Sequence, residues 1–241
     1  MHYAAEQGNE MLLGAILARL ENIDAPDAKG LTPLHLAAKH GRAKAVKWLL
    51  GRGAQADPVN DKGFSPLHYA AKSARLDIAG MLITAGANPS RGGEYAITPL
   101  FLAAGAGSVE TAELLIGVGA DVNARCGPQG MTPLVYAASN NHGPVMALLL
   151  AKGADPNART SAGITAMHYA ARARNIRAVK ALYRAGAQPL PADTSGQTPF
   201  DYARGAVGPE FAKRSRRAFR RYRRSHRAAA GGRRRGPRGR W

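Results

Sequence analysis

Apolar and polar positions along the 241-residue chain fall into two stripes that alternate and then repeat. The first is carried by Thr32-Pro33-Leu34-His35-Leu36-Ala37-Ala38. Copies begin at Ser65, Thr98, Thr132, Thr165 and, most worn, Thr198, so the steps between them are 33, 33, 34, 33 and 33 residues. A second apolar run follows each of the first five copies: Val46, Leu49, Leu50; Ile78, Leu82, Ile83; Ala112, Leu115, Ile116; Met146, Leu149, Leu150; Val179, Leu182, Tyr183. Both stripes have helical spacing. A period of this size means that supersecondary units stack, because no single unit buries its apolar face alone.

Each feature of the unit has a physical reading. The Thr or Ser hydroxyl heading the motif can accept a hydrogen bond from an unpaired backbone N–H at a helix start. Proline beside it suits the first helical position, where its missing donor leaves nothing unsatisfied. Leu, and the aromatic or Leu two residues on, supply the buried stripe, while the Ala-Ala pair keeps the helix thin enough for neighbours to approach. A Gly-Ala pair closes most units, at 53–54, 86–87, 119–120, 153–154 and 186–187. Glycine accepts the left-handed conformation that ends helices. The predicted unit is helix, tight turn, helix and Gly-stopped hairpin loop, and the fold class is all-α.

This unit resembles the ankyrin repeat. The Thr-Pro-Leu-His-x-Ala-Ala motif and the Gly-Ala-Asp-Val-Asn at 119–123 are that family's strongest marks. The resemblance covers residues 1–208 and implies an ankyrin-type helix-turn-helix repeat solenoid with short β-hairpin-like loops. A partial first repeat would occupy 1–26, with repeats starting near 27, 60, 93, 127, 160 and 193. It implies that His2, His35, His68 and His168, which share one motif position, hydrogen-bond between adjacent loops and first helices. It also implies that partners bind a concave face built from hairpin tips and the exposed side of the first helices.

The ends of the array depart from the pattern. Met1-His2-Tyr3-Ala4-Ala5 aligns with Leu34 to Ala38, so the chain opens inside a first helix, as a segment cut from a longer array would. Leu20-Glu21 replaces Gly-Ala, and that corner is expected to differ. In the last unit Ser215-Arg216 stands where others carry a leucine pair, so its second helix is expected to pack poorly. Each buried leucine contributes ~1.5–3 kcal/mol.

Charge changes the picture only near the C-terminus. Of the 34 Lys and Arg, 14 lie in 211–241, which contains no Asp or Glu, so most of the net +18 belongs to this tail. In its first block Arg216, Arg217, Arg220, Arg221, Arg223 and Arg224 are interleaved with Phe219 and Tyr222. The tail, 209–241, is expected to be partly helical and then disordered. Such a block reads as a nucleic-acid, nuclear-localisation or anionic-surface patch, or as a solvated tail with no partner. No apolar run approaches the ~18 residues of a membrane span, and no basic-then-apolar signal segment opens the chain. The lone Cys126, read as the extra loop residue of the 34-residue step, excludes an internal disulfide. These features fit a monomeric cytoplasmic or nuclear protein.

Candidate chemistry is sparse. His40, His142 and His226 have no cysteine or carboxylate at ligand spacing, and one cysteine excludes a zinc ribbon. There is no Gly-x-Ser-x-Gly elbow, and no cofactor or metal is implied. What remains is a surface: Lys29, Lys39, His40, Lys62, Phe64, Lys72, Tyr95, Ile97, Met131, Asn140 and Arg172, taken from the loops before each motif and the residues after each Ala-Ala. Aromatic and apolar anchors inside a charged rim suit a protein interface. Leu31, Phe64, Ile97, Met131 and Ile164 fit equally well as residues packed beneath the hairpins. The leading reading is a non-catalytic protein-protein interaction scaffold. Two others stay open: a nucleic-acid or anionic-surface binder acting through the tail, and an adaptor segment of a larger enzyme.

Overall fold

The computed structural model describes residues 1–19 and 22–205. The first helices are α1 (His2–Gln7), α3 (Pro33–Lys39), α5 (Pro66–Lys72), α7 (Pro99–Ala106), α9 (Pro133–Ser139), α11 (Ala166–Arg172) and α13 (Pro199–Gly205). The second helices are α2 (Glu10–Leu17), α4 (Ala43–Leu50), α6 (Leu76–Thr84), α8 (Val109–Gly117), α10 (Gly143–Ala151) and α12 (Ile176–Arg184). The Leu20-Glu21 corner, the last unit's second helix and the arginine-rich tail lie outside the described residues.

Capping follows the motif residue by residue. At Thr32, Ser65 and Thr165 the hydroxyl accepts the backbone N–H of the histidine three residues on. The same histidine's Nδ1 accepts the capping residue's N–H at 3.0–3.1 Å. Two donors that a helix start leaves unpaired are thereby satisfied together. Where Phe101 and Val135 replace histidine, only the hydroxyl half survives, at Thr98 and Thr132. Asp201 supplies the other half in α13, accepting from the Thr198 N–H at 2.9 Å.

First helices pack on first helices and second on second, forming two rows that share one core. Leu34, Leu67, Leu100, Leu134 and Met167 are buried in the first row; Leu13, Leu49, Leu82, Leu115, Leu149 and Leu182 are buried in the second. The short, alanine-rich first helices approach one another more closely than the second helices do.

Two hydrogen-bond ladders stitch the units together at opposite edges. On the loop side, the Nε2 atoms of His2, His35, His68 and His168 reach the carbonyls of Leu31, Phe64, Ile97 and Gln197 at 2.8, 2.9, 3.0 and 3.3 Å, as the resemblance implied. Because Nδ1 of His35, His68 and His168 accepts a backbone N–H, the proton sits on Nε2, which donates. At the turns between paired helices, Arg42 donates to the Glu6 carbonyl at 2.8 Å and Arg75 to that of Gly41 at 2.9 Å. His142 reaches the Gly105 carbonyl at 3.0 Å, and Asn175 donates to Asn141 Oδ1 at 2.8 Å. His142, without a role in the sequence, is thus an inter-unit tie.

Candidate partner-binding surface

The loops ahead of the motif are hairpin fingers, each with backbone bonding between its first and last residues. Asp27 donates to Leu31 at 2.9 Å, Asn60 to Phe64 at 3.0 Å, Gly93 to Ile97 at 2.8 Å, Thr160 to Ile164 at 2.9 Å and Asp193 to Gln197 at 2.9 Å. In the longer finger Cys126 and Met131 exchange both bonds at 2.8 Å. The extra residue therefore lies within 127–130, which corrects the expectation for Cys126. That cysteine holds the finger's first position, fully buried, and burial pushes its thiol pKa up.

Neighbouring fingers are joined tip to tip. The N–H groups of Asp61, Glu94, Gly127, Ser161 and Thr194 donate to the carbonyls of Lys29, Lys62, Tyr95, Gln129 and Ala162 at 3.3, 2.7, 2.9, 2.9 and 3.0 Å. Inside the fingers, Oδ1 of Asp27 accepts from the Lys29 and Leu31 N–H groups, and Oδ1 of Asp193 from those of Ser195 and Gln197. Desolvation alone would raise these carboxyls. The donors outweigh it and hold both below the usual carboxylate range.

This ladder brings Lys29, Lys62 and Tyr95 into one row of exposed tip residues, with Tyr95 61% exposed. A second row runs along the C-terminal ends of the first helices, where Lys39 and His40, Lys72, Asn140 and Arg172 are exposed. The apolar candidates lie between the rows. Phe64, Ile97 and Met131 are half-buried and Leu31 is buried. Phe64 meets His68 edge-on at 5.2 Å and covers Gly93, where a Cβ would fall 2.4 Å from its ring. Met131 and Ile164 lean on the core.

Lys62 pairs with Glu94 at 2.9 Å, and that hydrogen bond raises the lysine's pKa. His40 lies 3.4 Å from Glu6, and the Arg172 guanidinium sits 5.1 Å from the centre of the Tyr169 ring. Among the described residues Lys29, Lys39 and Lys72 make no ion pair. Beneath the fingers Arg91 holds Asp57 at 2.5 Å, leaving the buried Asp57 Oδ1 without a hydrogen bond. The sequence offered no sign of that pair, whose members stand in different units and belong to no motif. Among the described residues, no three His, Cys, Asp or Glu converge as a metal site would require, and no helix is long and apolar enough to cross a membrane. Burial disfavours the charged form of three ladder histidines, pulling His35 and His168 below the usual imidazole value and His68 down to about 4.

With this geometry in hand, the relatives are consistent. A family model described as ankyrin repeats (3 copies) matches residues 1–92 and 90–160, and one described as ankyrin repeats (many copies) matches 144–183. The chain belongs to the ankyrin repeat family. Among solved structures, the human ASB11 ankyrin repeat domain is 27% identical, with a TM-score of 0.78 over 88% of this chain and 94% of that one. Significant structural matches number 608, so the fold by itself singles out no partner. No curated protein gives a significant match.

Proposed function

We propose that the chain is a non-catalytic scaffold whose protein partner lies across the fingertip row and the ends of the first helices. Ankyrin repeats are in general protein–protein interaction modules, which supplies the class of function. One observation carries the choice of face: its exposed side chains stand on tips whose backbone is already cross-bonded from unit to unit. Recognition there costs little ordering entropy, because the frame is set before a partner arrives. The closer packing of the first helices favours curvature towards this side, giving a partner a concave seat. The test is Lys39→Glu with Lys72→Glu. A partner cross-linked to the wild-type chain should lose binding to the double variant while far-UV circular dichroism stays unchanged. Intact affinity would remove this face from the reading.

A second reading rests on the 14 cations of 211–241, unaccompanied by any acid. We infer weak, sequence-indifferent binding of nucleic acid through counterion release, with Phe219, Tyr222 and Trp241 as stacking surfaces. If roughly six to ten cations touch phosphates, affinity should fall about 10³–10⁵-fold between roughly 50 and 200 mM salt. Equal binding by a chain ending at Gly208 would refute it.

A further inference from the structure

Five of the six fingers place a left-handed glycine just before their closing residue: Gly30, Gly63, Gly130, Gly163 and Gly196, with φ between 59° and 77°. The third finger departs from this. Ala96 holds the glycine position with φ 55°, and Tyr95 before it is left-handed as well, also with φ 55°. In that conformation a Cβ crowds the carbonyl oxygen, so residues other than glycine and asparagine rarely adopt it. Ala74, Asn141 and Arg174 adopt it singly at helix–helix turns; Tyr95-Ala96 is the one consecutive non-glycine pair among the described residues.

Finger closure does not demand this pair, since four of the other fingers close with a single left-handed glycine and the longer fourth with two separated ones, Gly127 and Gly130. Such strain persists only where surrounding contacts over-determine it, and it concentrates at functional positions. Here the clamps are visible on both sides. The Glu94 N–H donates to Lys62, the Gly127 N–H donates to Tyr95 itself, and the Lys62–Glu94 ion pair closes the neighbouring gap. The outcome of the strain is an exposed aromatic ring on a fixed tip.

The surroundings of that ring differ along the stack. Towards the N-terminus stand Lys29, Lys39 and Lys72, without an ion pair among the described residues. Towards the C-terminus the tips are Gln129, Ala162 and Ser195, and the next two helix ends carry Ala106, Ser139 and Asn140, none of them charged. First helices of adjacent units pack at roughly 8–10 Å, and an extended peptide advances ~3.3 Å per residue. Two carboxylates about three residues apart therefore match Lys39 and Lys72.

Resting on the reading of this face as the partner surface, we propose that Tyr95 is its specificity-determining anchor and that the occupant is an extended acidic segment. Its acidic residues recur about every third position over α3 and α5, and an apolar residue then seats on the Tyr95 ring. Tyrosine offers large contact area with few rotors to freeze, as interface anchors do.

The experiment selects a displayed random-peptide library on the full chain at near-physiological salt and measures the enriched peptides on variants by fluorescence anisotropy. Peptides with the acidic spacing and one apolar residue should emerge. Their affinity should fall on the order of tenfold or more in Tyr95→Ala. Tyr95→Phe should retain most binding, and the Lys39→Glu, Lys72→Glu double variant should lose it, with thermal midpoints unchanged throughout. Peptides that bind Tyr95→Ala as well as wild type yet fail on the double variant would overturn the anchor and leave the face standing. Enriched peptides indifferent to both changes, or none enriched, would overturn anchor and face together.

Discussion

The histidine ladder makes stability depend on pH in a way that can be worked out from His68. Its ring is 1% exposed, its Nδ1 accepts the Ser65 N–H at 3.0 Å, and its Nε2 donates to the Ile97 carbonyl at 3.0 Å. Protonation would put a hydrogen on Nδ1, facing a donor, and would place a charge in a dry site. Burial is the largest influence and pulls the pKa down to about 4, against the backbone hydrogen bonds to Ile97 and Arg91 and the Asp57 charge, which raise it; the charge of the Arg91 guanidinium weakly reinforces the fall. In the unfolded chain the value returns to ~6.5. Between the two values the unfolded chain binds more protons, so stability rises with pH across this window. The contribution is fully present above about pH 6.5 and is lost as pH falls towards 4. The gap corresponds to roughly 3 kcal/mol, with most of it gone by about pH 4.5. His35 and His168 are shifted the same way and add to the slope. The depressed carboxyls of Asp27 and Asp193 act lower, below about pH 4, so the two windows separate.

The control is built into the chain. Val135 occupies the equivalent position in another unit without disturbing its helix, so His68→Val should fold. Losing both hydrogen bonds should lower stability at pH 7.5 by about 1–3 kcal/mol, but the pH slope should flatten and the two curves converge on acidification. Urea unfolding at several pH values measures the slope, and long-range nitrogen–proton NMR reads ring pKa and tautomer. A His68 ring titrating near 6.5 in the folded protein, or carrying its proton on Nδ1, would refute the reasoning.

Other expectations follow from single sites. Leu115→Ala or Leu149→Ala, each removing a fully buried side chain, should cost ~2–5 kcal/mol in chemical denaturation, and near-neutral results at both would contradict the packing. Ala74→Gly at φ 54° should raise stability by about 0.5–1 kcal/mol, because relieving ~1–2 kcal/mol of strain outweighs the ~0.5–1 kcal/mol entropy term of glycine. A lower melting temperature would show that the turn is not strained. Cys126 should resist an aromatic disulfide reagent at neutral pH until urea unfolds the stack; prompt reaction in the native protein would refute its burial.

The period made the stack legible, because every feature repeated in register reports a feature of the fold. Helix starts followed from Thr-Pro, and the loop-side ladder from the shared position of His35 and its counterparts. Ties that depend on one unit's substitution were not legible. No motif joins Arg42 to Glu6 or His142 to Gly105, since these ties reach backbone carbonyls, which have no residue signature. The Tyr95-Ala96 strain was hidden for a related reason. The loop could be seen to be irregular, but only backbone angles show that alanine has taken a glycine's conformation. Exposure was only half legible: the charged candidates emerge at the surface, whereas Leu31 turns into the fold.

The cations of the repeats sort by chemistry, and this bears on what the surface can select. Arg42, Arg75, Arg125 and Arg159 each donate to a carbonyl of a neighbouring unit, and Arg91 binds Asp57 across units. A planar fork of fixed donors suits such bonds, whereas a lysine ammonium is a hydrated point charge on a flexible stem. Among the described residues Lys29, Lys39 and Lys72 make no such tie. Replacing an arginine of the first set should loosen the stack, while replacing one of these lysines should alter only the surface. On this face the positive charge is therefore smaller than composition suggests: Lys29, Lys39 and Lys72 stand on two adjacent units, and Arg172, set over the Tyr169 ring, stands three units further on. A polyanion attracted by diffuse charge would find little to hold on this face. A segment carrying two carboxylates and one apolar group would meet two untied ammonium groups at Lys39 and Lys72 and an exposed ring at Tyr95.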